Sequence, residues 1–324
     1  MVALPVGGEE SMRLALSGSS GSKTVRTAVA ALVLGLCAWI PPSAADLRFQ
    51  EAPIILATGN RGGTYFVAGQ RLCQMINRAR QMLSVRCQGE VTAGSAVNME
   101  LLGARKVDFA IVQGDAVAPG AMPWARFIMG LHVEHLAVMV RADDRAGTLA
   151  DLVTRRVDIG VPGSGSRRSA ESLYAALGLT LVDPVGLHAL VRAEGLCSRA
   201  VDAVLFLQGT PAAPLLEAAE RCDVRVLPVS RAVAARVMAA LPAWSEASVP
   251  GGLYRGIVDD VPVLGMQALV VAHEEVSVQA VRALWSVVKA DLDFLREAHP
   301  SLRALKLEAM QAIPTGIPPH AGVR

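Results

Sequence analysis

The sequence predicts an α/β protein of two lobes, with mixed, mainly parallel sheets and helices on both faces. Two observations carry this reading. Short β-rich apolar runs alternate with helical stretches along most of the chain, the pattern of strands joined by crossover helices. The 279 residues that remain of the 324 once an expected leader over 1–45 is removed also exceed what one small core organises, while no internal repeat or long low-complexity linker divides them. Short crossovers must therefore join the lobes.

The first element is a leader. Lys23 and Arg26 precede an apolar run over residues 28–40, which Pro41 and Pro42 break before Ser43, Ala44 and Ala45. That order describes a secretory signal peptide over residues 1–45, cleaved near Ala45 so that the exported chain starts at Asp46. The run holds about 13 residues against the roughly 20 that span a bilayer, so a retained anchor is the weaker alternative. Glu9 and Glu10 are unusual in a leader, and Met12 competes with Met1 as the start. Cys37 leaves with the leader. Charges interrupt every later apolar run, and a soluble periplasmic product is expected.

Strands are predicted at 54–57, 109–112, 136–140, 157–161, 203–206 and 224–227, each a short β-rich apolar run. Helices are predicted near 66–80, 95–105, 148–154, 167–177, 212–221, 230–240 and 277–298. The runs near 136–141 and 264–272 are the natural hinge strands. They give lobe 1 residues 46–137 and 269–324, and lobe 2 residues 138–268.

Four cysteines remain after export into an oxidising compartment. They fall in two local pairs, Cys73 with Cys87 and Cys197 with Cys222, which favours two local disulfides. Four cysteines allow three pairings, and free buried thiols stay open as well. No C-x-x-C spacing suggests zinc. A net charge of +2 and 4% aromatic residues argue against nucleic acid as a partner.

In open α/β sheets, ligands sit where strands end and loops enter helices. Those loops here are Gly/hydroxyl-rich: 58–65, with Tyr65 at its end; 92–98, with Thr92, Ser95 and Asn98; 113–115, with Gln113 and Asp115; and 162–167, with Ser164, Gly165, Ser166 and Arg167. Several run into predicted helix starts, whose amides and dipole favour an anion. Together they describe a cradle for a carboxylate, although each loop alone is ordinary turn chemistry. Arg167 would supply a charge-assisted contact to the ligand or clamp the loop from behind, while Arg168 is expected to point elsewhere.

Catalytic signatures are missing. Gly163-Ser164-Gly165 imitates a dinucleotide fingerprint, but Arg168 stands where its third glycine belongs. No G-x-S-x-G elbow, P-loop or H-E-x-x-H occurs. His132 and His135 fall at a strand start, where such spacing puts the rings on opposite faces, so no metal is expected there. Cys73 and Cys197 have no histidine nearby in sequence that would mark an activated thiolate. No enzyme activity and no cofactor are expected.

The same motifs, in order, resemble the TAXI-type solute-binding subunits of TRAP transporters across nearly the whole exported chain. Thr58-Gly59 through Tyr65-Phe66 is similar to the family's glycine-rich loop and paired aromatics, with Phe66 where tyrosine is common. Thr92-Ala93-Gly94-Ser95 through Asn98, the stretch 107–115 ending in Gln113-Gly114-Asp115, and Pro162-Gly163-Ser164-Gly165-Ser166-Arg167 continue the match. So do 248–256, Asp259-Asp260-Val261-Pro262 and the tail 317–322.

The resemblance implies a type II periplasmic-binding-protein fold with the ligand between the lobes. It also implies delivery of a small carboxylate (glutamate, 2-oxoglutarate or dicarboxylate-like) to TRAP membrane permease subunits by a monomer. It supports the local cysteine pairing and assigns ligand contact to Tyr65, Thr92, Ser95, Asn98, Gln113, Asp115, Ser164, Gly165, Ser166 and Arg167. The chain departs from the family in the short, proline-rich stretch 116–124, in the apolar 209–213 loop, and at Arg324, where relatives continue into a further helix. A receptor reporting to a membrane sensor, or an enzyme on a doubly wound sheet, are the alternatives.

Overall fold

The computed structural model describes residues 53–117, 120 and 122–323. The expected signal peptide, with its cleavage site and both candidate starts, lies outside the described residues. So do positions 118, 119 and 121 of the loop after Asp115, and Arg324.

The chain runs β1 (Ile54–Ala57), α1 (Thr64–Arg78), α2 (Arg80–Leu83), β2 (Cys87–Glu90), α3 (Ser95–Gly103), β3 (Phe109–Gln113) and β4 (Ala125–Arg141). It continues through β5 (Arg156–Asp158), α4 (Gly165–Ala176), β6 (Asp183–Val185), α5 (Arg192–Cys197), β7 (Ala203–Gln208), α6 (Ala213–Arg221), β8 (Val224–Val226) and α7 (Arg231–Ala240). It ends with β9 (Trp244–Val249), β10 (Val261–His273), α8 (Val278–Ala290), α9 (Leu292–Arg296) and α10 (Leu307–Gln311).

The strands form one sheet in the order β2-β1-β3-β10-β4-β7-β5-β6, with β8 added to β4 and β9 to β10. Parallel pairs flank it, β1 with β2 and β3 at one end and β5 with β6 and β7 at the other. The antiparallel part of the expected mixed sheet lies in the middle. β4 and β10 run antiparallel to each other and to β3, β7, β8 and β9, so the sheet is mixed. The cause is connectivity: the chain enters the second half along β4 and returns along β10, and these two strands are reached without a parallel crossover.

Period-two alternation explains why the strands read as continuous apolar runs. In β3, Phe109 and Ile111 pack under α1 and α8, while Ala110 and Val112 pack under α3 on the other face. In β7, Ala203, Leu205 and Leu207 face α4 and α7, while Val204 and Phe206 face α5 and α6. The cores thus form two groups, one built from residues 54–131 and 268–317, the other from 136–266. β4 and β10 contribute to both.

Both local disulfides are formed. Cys73 of α1 joins Cys87 at the start of β2, and Cys197 at the end of α5 joins Cys222 just beyond α6.

Candidate functional site

A cavity of about 390 Å³ opens where strand ends of the two core groups meet helix starts. Three helices begin on it: α1 after Gly62-Gly63, α3 after Gly94, and α4 after Ser164. None has an acidic residue in its first turn, and no side chain caps the first amides of α1 or α3. Unpaired N–H groups and the positive ends of three helix dipoles therefore point to one space. Gly94 holds φ at +113°, a conformation that side chains disfavour, and this turn lets the α3 start face that of α4.

Of the residues singled out in the sequence, Tyr65, Thr92, Ser95, Gln113, Ser164, Gly165 and Ser166 border this cavity. Asn98, Asp115 and Arg167 do not. Asn98 is fully buried, and its amide donates to the carbonyls of Thr58 (2.6 Å) and Ile111 (2.7 Å), bolting α3 to the ends of β1 and β3. Thr92 Oγ1 sits 2.5 Å from Asn98 Oδ1 and accepts from the Gly94 amide at 3.1 Å. Ser95 Oγ accepts from the Gln113 amide at 3.0 Å.

Asp115 reaches across to α4 instead. Its carboxylate accepts from Arg168 Nη2 at 2.7 Å and from Ser169 Oγ at 2.5 Å. Burial raises the Asp115 pKa, against the pull of Arg168 and Ser169. Arg167 turns back along its own helix, donating from Nε to Glu171 at 2.9 Å and from Nη1 to the Gly160 carbonyl at 3.3 Å. An acid one turn ahead and a carbonyl behind engage it away from the cavity, the arrangement that the loop-clamping alternative expects. Ser164 Oγ caps α4 by accepting from the Arg167 amide at 3.2 Å.

Sequence reasoning missed two charged groups in the lining, Arg192 and Glu134. Arg192 donates from Nε to Asp158 and from Nη2 to the Leu205 carbonyl at 2.7 Å, with its guanidinium 3.8 Å over the Phe206 ring. Burial lowers the pKa of Arg192, and Asp158, itself fully buried, opposes that. Nη1 has no hydrogen-bond partner among the described residues, which leaves a charged donor beside the cavity.

Glu134, in β4, is 2% exposed. Its Oε2 accepts from the Tyr65 hydroxyl at 2.7 Å. Burial pushes its pKa up to about 8, and burial followed by Glu134 itself pushes that of Tyr65 well above its ordinary value. Both acids had a signal in the sequence. Asp158 and Glu134 interrupt runs of β-rich apolar residues, where a carboxyl is buried and must find a partner.

His132 and His135 both lie in β4 at the spacing that places them on opposite faces. The His132 ring is buried without a hydrogen-bond partner, and burial, then His299 and His135, lower its pKa to about 3. His135 Nδ1 is 3.3 Å from Thr210 Oγ1.

Known proteins share this architecture. A protein of Bordetella bronchiseptica RB50 superimposes with a TM-score of 0.52 at 15% identity, over 80% of this chain and 79% of that one. A Listeria monocytogenes protein provisionally described as an L-cystine ABC transporter gives 0.50 at 12%, over 78% and 97%. The protein Tv2483 bound to L-arginine gives 0.50 at 11%, over 80% and 94%. At these identities the likeness is one of fold, the two-lobe fold of type II periplasmic binding proteins. A family model described as the NMT1-like family matches residues 56–324, and the chain belongs to that family.

Proposed function

We propose that the chain is an extracytoplasmic receptor that captures a small carboxylate between its lobes and delivers it to a TRAP-type membrane permease. The observation that carries the ligand class is the convergence of three helix starts, free of acidic residues in their first turns, on one cavity that also borders Arg192. Amides from α1 and α3 on one side and α4 on the other can grip one carboxylate only when the lobes are together, the mode of a binding protein.

Family membership and the two disulfides support an exported solute-binding protein. The ordered motifs shared with TAXI-type subunits support the permease. Binding rather than turnover fits the lining, where no described hydroxyl is hydrogen-bonded to a histidine. Glutamate, 2-oxoglutarate and related dicarboxylates are the first candidates.

A thermal-shift panel of small carboxylates against amines of the same carbon skeleton tests the ligand class. Carboxylates should raise the melting temperature in a concentration-dependent way, and amines lacking a carboxylate should not. A melting temperature unmoved by every carboxylate overturns the reading.

A further inference from the structure

The helix starts leave the β4 wall of the cavity to other groups. Glu134 borders the same cavity from β4. Its Oε2 is engaged by Tyr65 and the Gln113 side chain also hydrogen-bonds the carboxyl, while no cation among the described residues pairs with either oxygen. A carboxyl 98% withdrawn from solvent, next to open cavity and without a cation, is costly to ionise, and a cation entering the cavity removes that cost. The opposite signs are already balanced by the protein: Arg192 by Asp158, and Arg168 by Asp115. Of the described charged groups at this cavity, Glu134 alone has no opposite charge.

We propose that Glu134 determines specificity by receiving the ammonium group of an α-amino acid whose carboxylate rests on the helix starts, so that the receptor selects amino acids over the matching keto acids. The proposal rests on the carboxylate-receptor reading above and narrows it. Tyr65, donating to Oε2, and the Gln113 side chain hold the carboxyl in place at the cavity wall for the ligand.

Proton linkage follows. The empty cavity holds a proton on Glu134 up to about pH 8, and an ammonium ion needs that proton gone. Below pH 8 each bound amino acid therefore releases one proton to solvent, and affinity rises as pH rises, levelling above 8. A keto acid, which can only accept a hydrogen bond from the protonated carboxyl, has the opposite slope.

The other titratable groups around Glu134 do not mimic this slope. Tyr65 from α1 is shifted upward, away from the range. Asp115 is paired with Arg168 from α4. His132 and His135 on β4, and His299 beyond them, are shifted downward by burial. His188 and Arg192 complete the titratable lining on the far lobe.

Calorimetric titration of the purified chain with three matched pairs decides it: L-glutamate and 2-oxoglutarate, L-alanine and pyruvate, L-leucine and 4-methyl-2-oxopentanoate. In at least one pair the amino acid should bind at least tenfold tighter than its keto partner at pH 7, gaining about tenfold per pH unit from pH 6 to 7.5. Glu134→Gln should bring the two members within about threefold by weakening the amino acid. A keto acid that binds as tightly or more tightly, or a preference that survives Glu134→Gln, overturns the role of Glu134 and leaves the carboxylate reading standing. Failure of all six probes overturns both. Should Glu134→Gln not fold, titrations of the unaltered chain in buffers of different ionisation enthalpy decide it. Release of close to one proton per amino acid at pH 6.5 supports the proposal, and none or uptake refutes it.

Discussion

A Cβ on Gly165 would lie 2.8 Å from Ser95 Oγ and 2.9 Å from the side-chain carbon of Gln113. Both neighbours belong to the other lobe, and Gln113 is buried, so neither can retreat cheaply. Gly165→Ala should therefore wedge the α4 start away from α3 and weaken the best carboxylate ligand by tenfold or more in calorimetric titration, while melting of the unliganded chain moves little. Unchanged affinity would show that the lobes need not approach this closely. Ser95, Gln113 and Gly165 were legible in the sequence because each sits where a strand ends or a helix begins. Glu134 left only the signal of a carboxyl within an apolar run, and Arg192 left none. Glu134 lies inside β4, and Arg192 meets Asp158 across 34 positions, a pairing that only the folded chain brings about. Arg167 and Arg168 are adjacent, and only the location of Glu171 and Asp115 distinguishes their targets.

Each crosslink fastens an element that carries a lining residue. α1 brings Tyr65 to the cavity and is tied to β2 through Cys73–Cys87; α5 brings Arg192 and is tied to the end of α6 through Cys197–Cys222. With separations of 14 and 25 residues, replacing either pair by serines should cost about 3 kcal/mol in chemical denaturation, chiefly by freeing the unfolded chain. Non-reducing peptide mapping should recover the same two links, and an unmoved denaturation midpoint would deny them a role in stability. Element identity was legible where both faces of a strand are buried: β1, β3, β7 and β8 fall at the apolar runs. It failed at the margins. β2 reads Cys-Gln-Gly-Glu and β6 reads Asp-Pro-Val, edge strands whose polar residues, glycine and proline carry no apolar run. β4 is far longer than its apolar half, because residues 125–135 pair with β10, which no local pattern reveals.

At the scale of the molecule, β4 and β10 are the only strands that serve both core groups among the described residues. β4 leaves the first core after Leu131 and enters the second at Leu136; β10 makes the reverse passage between Met266 and Ala268. Their pairing slips register between Gln267 and Leu269, and a slip of this kind bends and weakens a ladder locally. We place the hinge there, in the segments 131–136 and 266–269, beside Glu134. Away from the hinge, Asp115 with Arg168 and Ser169, and Gly165 against Ser95 and Gln113, hold the lobes together in this structure. In the binding cycle we propose, these contacts compete with an open form that admits the ligand, and the ion pair is expected to set the population of the two. Arg168→Ala leaves the Asp115 carboxyl buried without its cation, a cost that only opening relieves. The unliganded Arg168→Ala chain should accordingly show a larger radius of gyration by small-angle scattering than the unaltered chain, and saturating ligand should restore the compact value. Equal radii without ligand would mean that the pair is a passive contact. A variant that stays expanded at saturation would mean instead that closure depends on Arg168 even after the ligand is seated.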